Sequence, residues 1–188
     1  MIVTISGASG VGKDTLVDFL FYILPNTKFL RSYTTRKPRL GDRGYTYIGN
    51  DEFLAMQERG LFAWAVGSYD NMYGTSISDL VEMCNDKETI WFSVVVPKQI
   101  PEFIMWARRL KGGGVLSVYI YCKDTEILRQ RLIKRGDKDI EKRLNDLSSF
   151  NLEASRQPSL VWVDNSGELE VTKRTVANII KEAGFLDL

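Results

Sequence analysis

The chain has 188 residues, of which 44% are hydrophobic and 26% charged, and its formal net charge is +1. That length predicts one compact domain with a real core, and that charge gives no broad cationic face for nucleic acid or an anionic membrane. It contains no histidine, which excludes a Ser-His-Asp triad, a histidine general base and a His-ligated zinc site, whereas phosphoryl transfer survives because it relies on positioning and charge stabilisation.

The opening residues, MIVTI, have no basic region ahead of an apolar stretch and do not read as a signal peptide. Residues 2–6 form a short β-branched strand that runs into a glycine-rich loop. Residues 14–24 carry apolar side chains at helical spacing until Pro25 and Asn26 stop them. A short strand is expected near Phe29 and Leu30, and residues 34–50, dense in charge, Gly, Pro and Tyr, read as loop with short strands. A helix over 51–59 is expected to be capped by Asn50 or Asp51 and closed by Gly60, with a second short helix starting at Ser76 or Ser78. Residues 89–96 are a near-continuous apolar run, as in a strand buried on both faces of a parallel sheet, and are far too short to span a bilayer. Helices over 101–110, 125–135 and 140–156, strands over 115–121 and 160–163, and a last helix over 168–183 complete the pattern. Strands alternating with helices predict a three-layer α/β fold with a mostly parallel sheet. Residues 32–76 are less regular and read as a separate small lobe. Cys84 and Cys122 stand alone, without metal-ligand spacing, which predicts reduced thiols and a cytoplasmic protein.

Gly7-Ala8-Ser9-Gly10-Val11-Gly12-Lys13 follows the first strand and opens the first helix. This is the order a phosphate-binding P-loop requires. Glycines let backbone N–H groups turn inward, the helix N-terminus adds its positive dipole, and Lys13 reaches the β- and γ-phosphates. The predicted fold is thus a P-loop NTPase fold with ATP as cofactor on residues 7–15. Asp14 stands where Ser or Thr usually offers a hydroxyl to Mg²⁺, with Thr15 one residue later. Asp14 is a candidate Mg²⁺ ligand, its hard oxygens suiting that ion, or a first-turn acid favoured by the helix dipole.

Farther along come Ser32-Tyr33-Thr34-Thr35-Arg36-Lys37-Pro38-Arg39, Gly41-Asp42, Gly44, Tyr47 and then Asn71-Met72-Tyr73-Gly74-Thr75. Arginines three residues apart among Ser, Thr and Tyr supply forked donors suited to a dianionic phosphate, unless the loop is simply a solvated basic stretch. With the P-loop, these motifs resemble the guanylate kinase family, whose pattern runs GPSGVGKST, S-x-TTR-x-PR-GE-x-G-x-DY and NYYGT, in the same order over nearly the whole chain. The resemblance implies that Arg36 and Arg39 clamp the acceptor's phosphate, with Ser32, Tyr47, Tyr73 and Thr75 around it. It makes residues 32–76 an acceptor-binding lobe, 1–31 and 77–188 the core, and about 129–143 a helical lid. It implies Arg131, Arg135 and Arg143 as lid arginines that neutralise charge during transfer, while Arg129 and Lys134 read as solvated. Asn165, after the last strand, matches the segment near adenine. The implied partner is a small-molecule phosphate acceptor, GMP or a sugar phosphate, and the implied assembly a monomer or homodimer.

Two departures bear on the acceptor. The family reads guanine with one acid in an F-x-E stretch, where this chain has Trp64, and another in a D-x-D strand, where residues 90–95 hold no carboxylate. That strand also normally supplies the acid near Mg²⁺. Trp64 reads as a core aromatic or as a stacking platform for a base. Three functions stay open: a nucleoside monophosphate kinase with an altered base pocket, a relative of ribose 1,5-bisphosphate phosphokinase, or a non-catalytic guanylate kinase-like domain that binds proteins. Lys13-Asp14, residues 127–132 with Arg135-Gly136, and residues 165–169 resemble the second. The intact P-loop and the lid arginines argue against the third.

Overall fold

The computed structural model describes residues 1–38, 41–68, 70–110 and 114–184. Its central sheet is built from the apolar runs expected to be strands: β1 (Ile2–Ser6), β2 (Thr27–Phe29), β7 (Ile90–Val94), β8 (Val115–Tyr121) and β9 (Leu160–Asp164). The spatial order is β2-β7-β1-β8-β9 and every pairing is parallel, with Ile2 beside Trp91 on one side and Val115 on the other. Parallel strands need crossovers, and the helices that supply them cover both faces.

Strand alternation sends successive side chains into two cores. On one face Val3, Ile5, Phe92, Val118 and Ile120 meet Leu16 and Leu20 of α1 (Lys13–Ile23), Leu128 and Leu132 of α5 (Thr125–Arg135), and Val176 and Ile180 of α7 (Leu169–Glu182). On the other, Ile2, Trp91 and Tyr119 meet Leu80 and Met83 of α3 (Ile77–Asn85) and Phe103 and Ala107 of α4 (Ile100–Arg109). The long α6 (Ile140–Ser155) gives Leu147 to the first core and Ala154 to the second. Cys84 and Cys122 are buried free thiols. Among the described residues no helix is long and apolar enough to cross a membrane.

A second sheet, order β4-β3-β6-β5, lies within the less regular stretch: β3 (Ser32–Thr34), β4 (Tyr45–Tyr47), β5 (Phe62–Ser68) and β6 (Asn71–Ser76), with α2 (Asn50–Glu58) between β4 and β5. The long β5–β6 antiparallel pair carries a register shift between Phe62 and Trp64. Gly74 faces the Phe62 and Phe53 rings, which occupy the space a side chain would need. The first expected short strand falls at Thr27–Phe29 rather than at residues 29–30. The expected cap of α2 is corrected: Gly49 is the N-cap, with no side-chain hydrogen bond, and Asn50 and Asp51 lie inside the first turn. Ser76 does cap α3, accepting from Asp79 N at 3.1 Å.

Candidate active site

In an open α/β sheet the strand C-termini gather the ligand-binding loops, at the point where strand order reverses. β1 is central here, flanked by β7 and β8, so the loop Gly7–Gly12 leaves the middle of that edge. Gly7, Gly10 and Gly12 have φ of 145°, 83° and 97°. A Cβ on Gly7 would run into the Ile120 carbonyl, and one on Gly12 into Asn165 Nδ2. Only glycine permits this path. Val11, fully buried, pins the loop to the core. No side chain caps α1, so its first N–H groups remain available to an anion.

Lys13 folds over the loop and donates to the carbonyls of Gly7 and Ala8 at 2.8 and 2.7 Å. Burial lowers its ammonium pKa to about 8; Asp14 opposes that shift and Arg135 adds to it. Asp14 and Thr15 are exposed and line the cleft. Asn165, 2% exposed, donates from Nδ2 to Val11 O at 2.8 Å, and Arg131 donates to the Asn165 carbonyl at 2.8 Å.

Two of the three arginines expected in a lid, Arg135 and Arg143, converge on the loop. Arg135 and Arg143 both donate to Ser9 Oγ, at 2.7 and 2.8 Å. Asp137 sits between them, 2.5 Å from Arg135 Nε and 3.3 Å from Arg143. Gly136, left-handed at φ 76°, ends α5 and makes this turn possible. Arg129 instead pairs with Glu141 on the exposed side, and Lys134 is exposed.

Across the cleft, Arg36 is only 8% exposed and pairs with Asp42 at 2.9 Å. Burial works against its charge, yet the hydrogen bond and charge of Asp42 outweigh that and raise its pKa. Its guanidinium lies 5.0 Å from the Tyr45 ring centre and 5.9 Å from that of Tyr47, within cation–π range. Tyr47 donates its hydroxyl to Asp42 at 2.5 Å, and desolvation with that bond pushes the phenol up to about 12. Ser32, Arg36, Tyr73 and Thr75 line the same cleft as the P-loop, whereas Tyr47 and Val11 do not line it. Arg39 lies outside the described residues. Trp64 is 7% exposed, its ring centre 5.5 Å from that of Phe103, so it packs in the core while also bordering the cleft.

Four residues of the site were not singled out from sequence: Asp42, Tyr45, Asp137 and Gln99. Asp42 stood inside a quoted motif, so a positional signal existed. Asp137 gave none beyond a polar turn, and Gln99 none at all.

A P-loop at the sheet's C-terminal edge, facing a buried arginine and roofed by two more, defines a P-loop nucleotide-binding enzyme. The sequence model of the guanylate kinase family matches residues 1–183. A guanylate kinase of Helicobacter pylori (strain 26695) is 32% identical over 187 residues, covering 96% of this chain and 86% of that protein. One of Campylobacter jejuni (strain RM1221) is 31% identical over 170 residues, covering 87% and 80%. The crystal structure of guanylate kinase from Anaplasma phagocytophilum shares the fold at a TM-score of 0.67 and 20% identity, over all of this chain and 87% of that one. The chain belongs to the guanylate kinase family, a family of nucleoside monophosphate kinases.

Proposed function

We propose that this protein transfers the γ-phosphoryl group of ATP to the phosphate of GMP. The observation that carries the reading is one cleft of about 580 Å³ lined by the P-loop on one side and by Ser32, Arg36 and Tyr73 on the other. Such a cleft brings two phosphate sites face to face, which phosphoryl transfer needs more than it needs a base.

In this reading the triphosphate lies on the N–H groups of residues 7–15, and Lys13 leaves its two carbonyls for the β- and γ-phosphates. Arg36 grips the acceptor phosphate, held in aim by Asp42 and by the Tyr45 ring. Tyr73 and Thr75 complete that side, the motif assigns Arg39 and Tyr47 to the same clamp, and Asn165 borders the adenine. Arg131, Arg135 and Arg143 close over the γ-phosphate, neutralise charge during transfer and exclude water. Residues 32–76 act as the acceptor lobe and 129–143 as the lid.

Mg²⁺ fits the donor set: Asp14 is an exposed carboxylate on the cleft wall, and Mg²⁺ takes one or two carboxylates together with substrate phosphates. Asp14 would hold it, and the ion would supply charge neutralisation between the β- and γ-phosphates. The sugar-bisphosphate and protein-binding alternatives draw no support from the relatives named above.

The test is coupled ADP release with ATP and Mg²⁺ against GMP, dGMP, AMP, pyrimidine monophosphates and ribose 1,5-bisphosphate. Turnover with GMP is expected. Turnover with the sugar bisphosphate alone, or ATP binding without any turnover, refutes the reading.

A further inference from the structure

With both acidic positions of the base pocket replaced, the cleft near Trp64 is walled by Val66 and by Val94 to Val96. A nucleobase edge carries donors and acceptors, and apolar walls alone would leave them buried without partners, which disfavours binding. Two polar side chains are set into this wall, the Thr75 hydroxyl and the Gln99 carboxamide, at 4% and 6% exposure.

Gln99 ends the 3₁₀ turn Pro97–Gln99 that joins β7 to α4, and its backbone N–H donates to Val96 O at 3.0 Å. It lies four residues before Phe103, the residue on which Trp64 packs. Gln99 and Trp64, the indole that replaces the family's acid, line the same cleft. Its Nε2 is buried and has no hydrogen-bond partner. Buried amides are almost always paired, and an orphan at a cleft wall is a group awaiting a ligand. A half-turn of the terminal torsion presents either amide atom.

We infer that Gln99 is the base-specificity residue of this enzyme: it pairs with the O6 and N1–H edge of an oxopurine and leaves the 2-amino group unread. This rests on the nucleoside monophosphate acceptor proposed above. A carboxamide offers one donor beside one acceptor, which matches O6 beside N1–H. A carboxylate would instead accept from N1–H and N2–H₂ together. The neutral reader therefore recognises guanine and hypoxanthine alike, and Thr75 borders the same pocket as an adaptable hydroxyl.

The experiment measures kcat/KM for GMP, IMP and AMP in the intact protein and in Gln99→Met and Gln99→Glu, with thermal melts alongside. In the unsubstituted protein GMP and IMP should agree within about threefold. Gln99→Met should lower both by on the order of 10- to 100-fold, chiefly through KM, for the loss of two neutral hydrogen bonds. Its melting temperature should be unchanged or higher, since it removes an unpaired buried amide. Gln99→Glu should shift preference towards GMP over IMP, which a merely structural role would not produce. GMP favoured over IMP by more than about 100-fold before any substitution, a range that needs a built hydrogen-bond partner for N2, overturns the inference. So does full GMP turnover in a folded Gln99→Met protein. Turnover with no nucleotide at all would remove the acceptor reading itself and the inference with it, an outcome distinct from the other two.

Discussion

Raising the pH from 7 to 9.5 is expected to weaken ATP binding through Lys13 alone. In the free protein its ammonium has a pKa of about 8 against an ordinary 10.5, because it is desolvated and lies near Arg135. A triphosphate in the loop supplies the opposite charge and restores the ordinary value or exceeds it. Between those two values the free protein holds less proton than the complex, so binding takes up a proton and apparent affinity falls as pH rises. The linkage relation gives a loss of about twofold at pH 8, tenfold at pH 9 and thirtyfold at pH 9.5. Isothermal titration in two buffers of different ionisation enthalpy would show proton uptake rising towards one per ATP. The same titration has the opposite sign for folding. The unfolded chain, with its ordinary lysine, binds more protons between pH 8 and 10.5, so this group's contribution to stability grows with pH across that window. A flat ATP affinity from pH 7 to 9.5, without proton uptake, would show that the Lys13 ammonium does not change its protonation on binding.

Four substitutions probe the site and the packing around it. Gly12→Ala meets both a φ of 97° and Asn165 Nδ2, and it should abolish the ATP-induced rise in melting temperature. Arg143→Ala should lower kcat by roughly 10³-fold, as for other arginines that neutralise charge in phosphoryl transfer, while ATP affinity moves far less. Arg129→Ala, which removes the pair with Glu141 on the exposed side, should change neither in the same steady-state and binding assays. Trp64→Ala should destabilise the fold by about 3–5 kcal/mol in urea unfolding, since the ring is packed on Phe103 in the second core.

The parts legible in the sequence were those governed by local rules. The P-loop followed from a strand, glycines and a helix in order, and the central sheet from apolar runs buried on both faces. Ser76 announced α3 because its side chain does the capping. Gly49 did not announce α2, because there the backbone enters the helix without a side-chain bond. β5 and β6 were not legible, since FAWAVGS and NMYGTS lack clean alternation and one pairing is bulged. Their residues answer to partners elsewhere: Gly74 to the Phe62 ring, Trp64 to Phe103. Arg36 read as a phosphate ligand from its motif. That Asp42, with Tyr45 and Tyr47, would hold it is a tertiary fact, as is the orphaned amide of Gln99.

Of the five strands of the central sheet, the one that bears the P-loop is made first and is among the last to be seated. Ile2 pairs with Trp91 on one side and with Val115 on the other. At roughly 5–20 residues per second of synthesis, residues 1–6 wait on the order of 5 to 20 seconds before the second of those neighbours exists. Until then the glycine loop has no Ile120 carbonyl to abut and no Asn165 to brace it. The nascent chain is therefore expected to gain nucleotide affinity late and in one step, when β8 and β9 close the sheet. Stalled chains ending before residue 115 should bind ATP no better than unfolded protein.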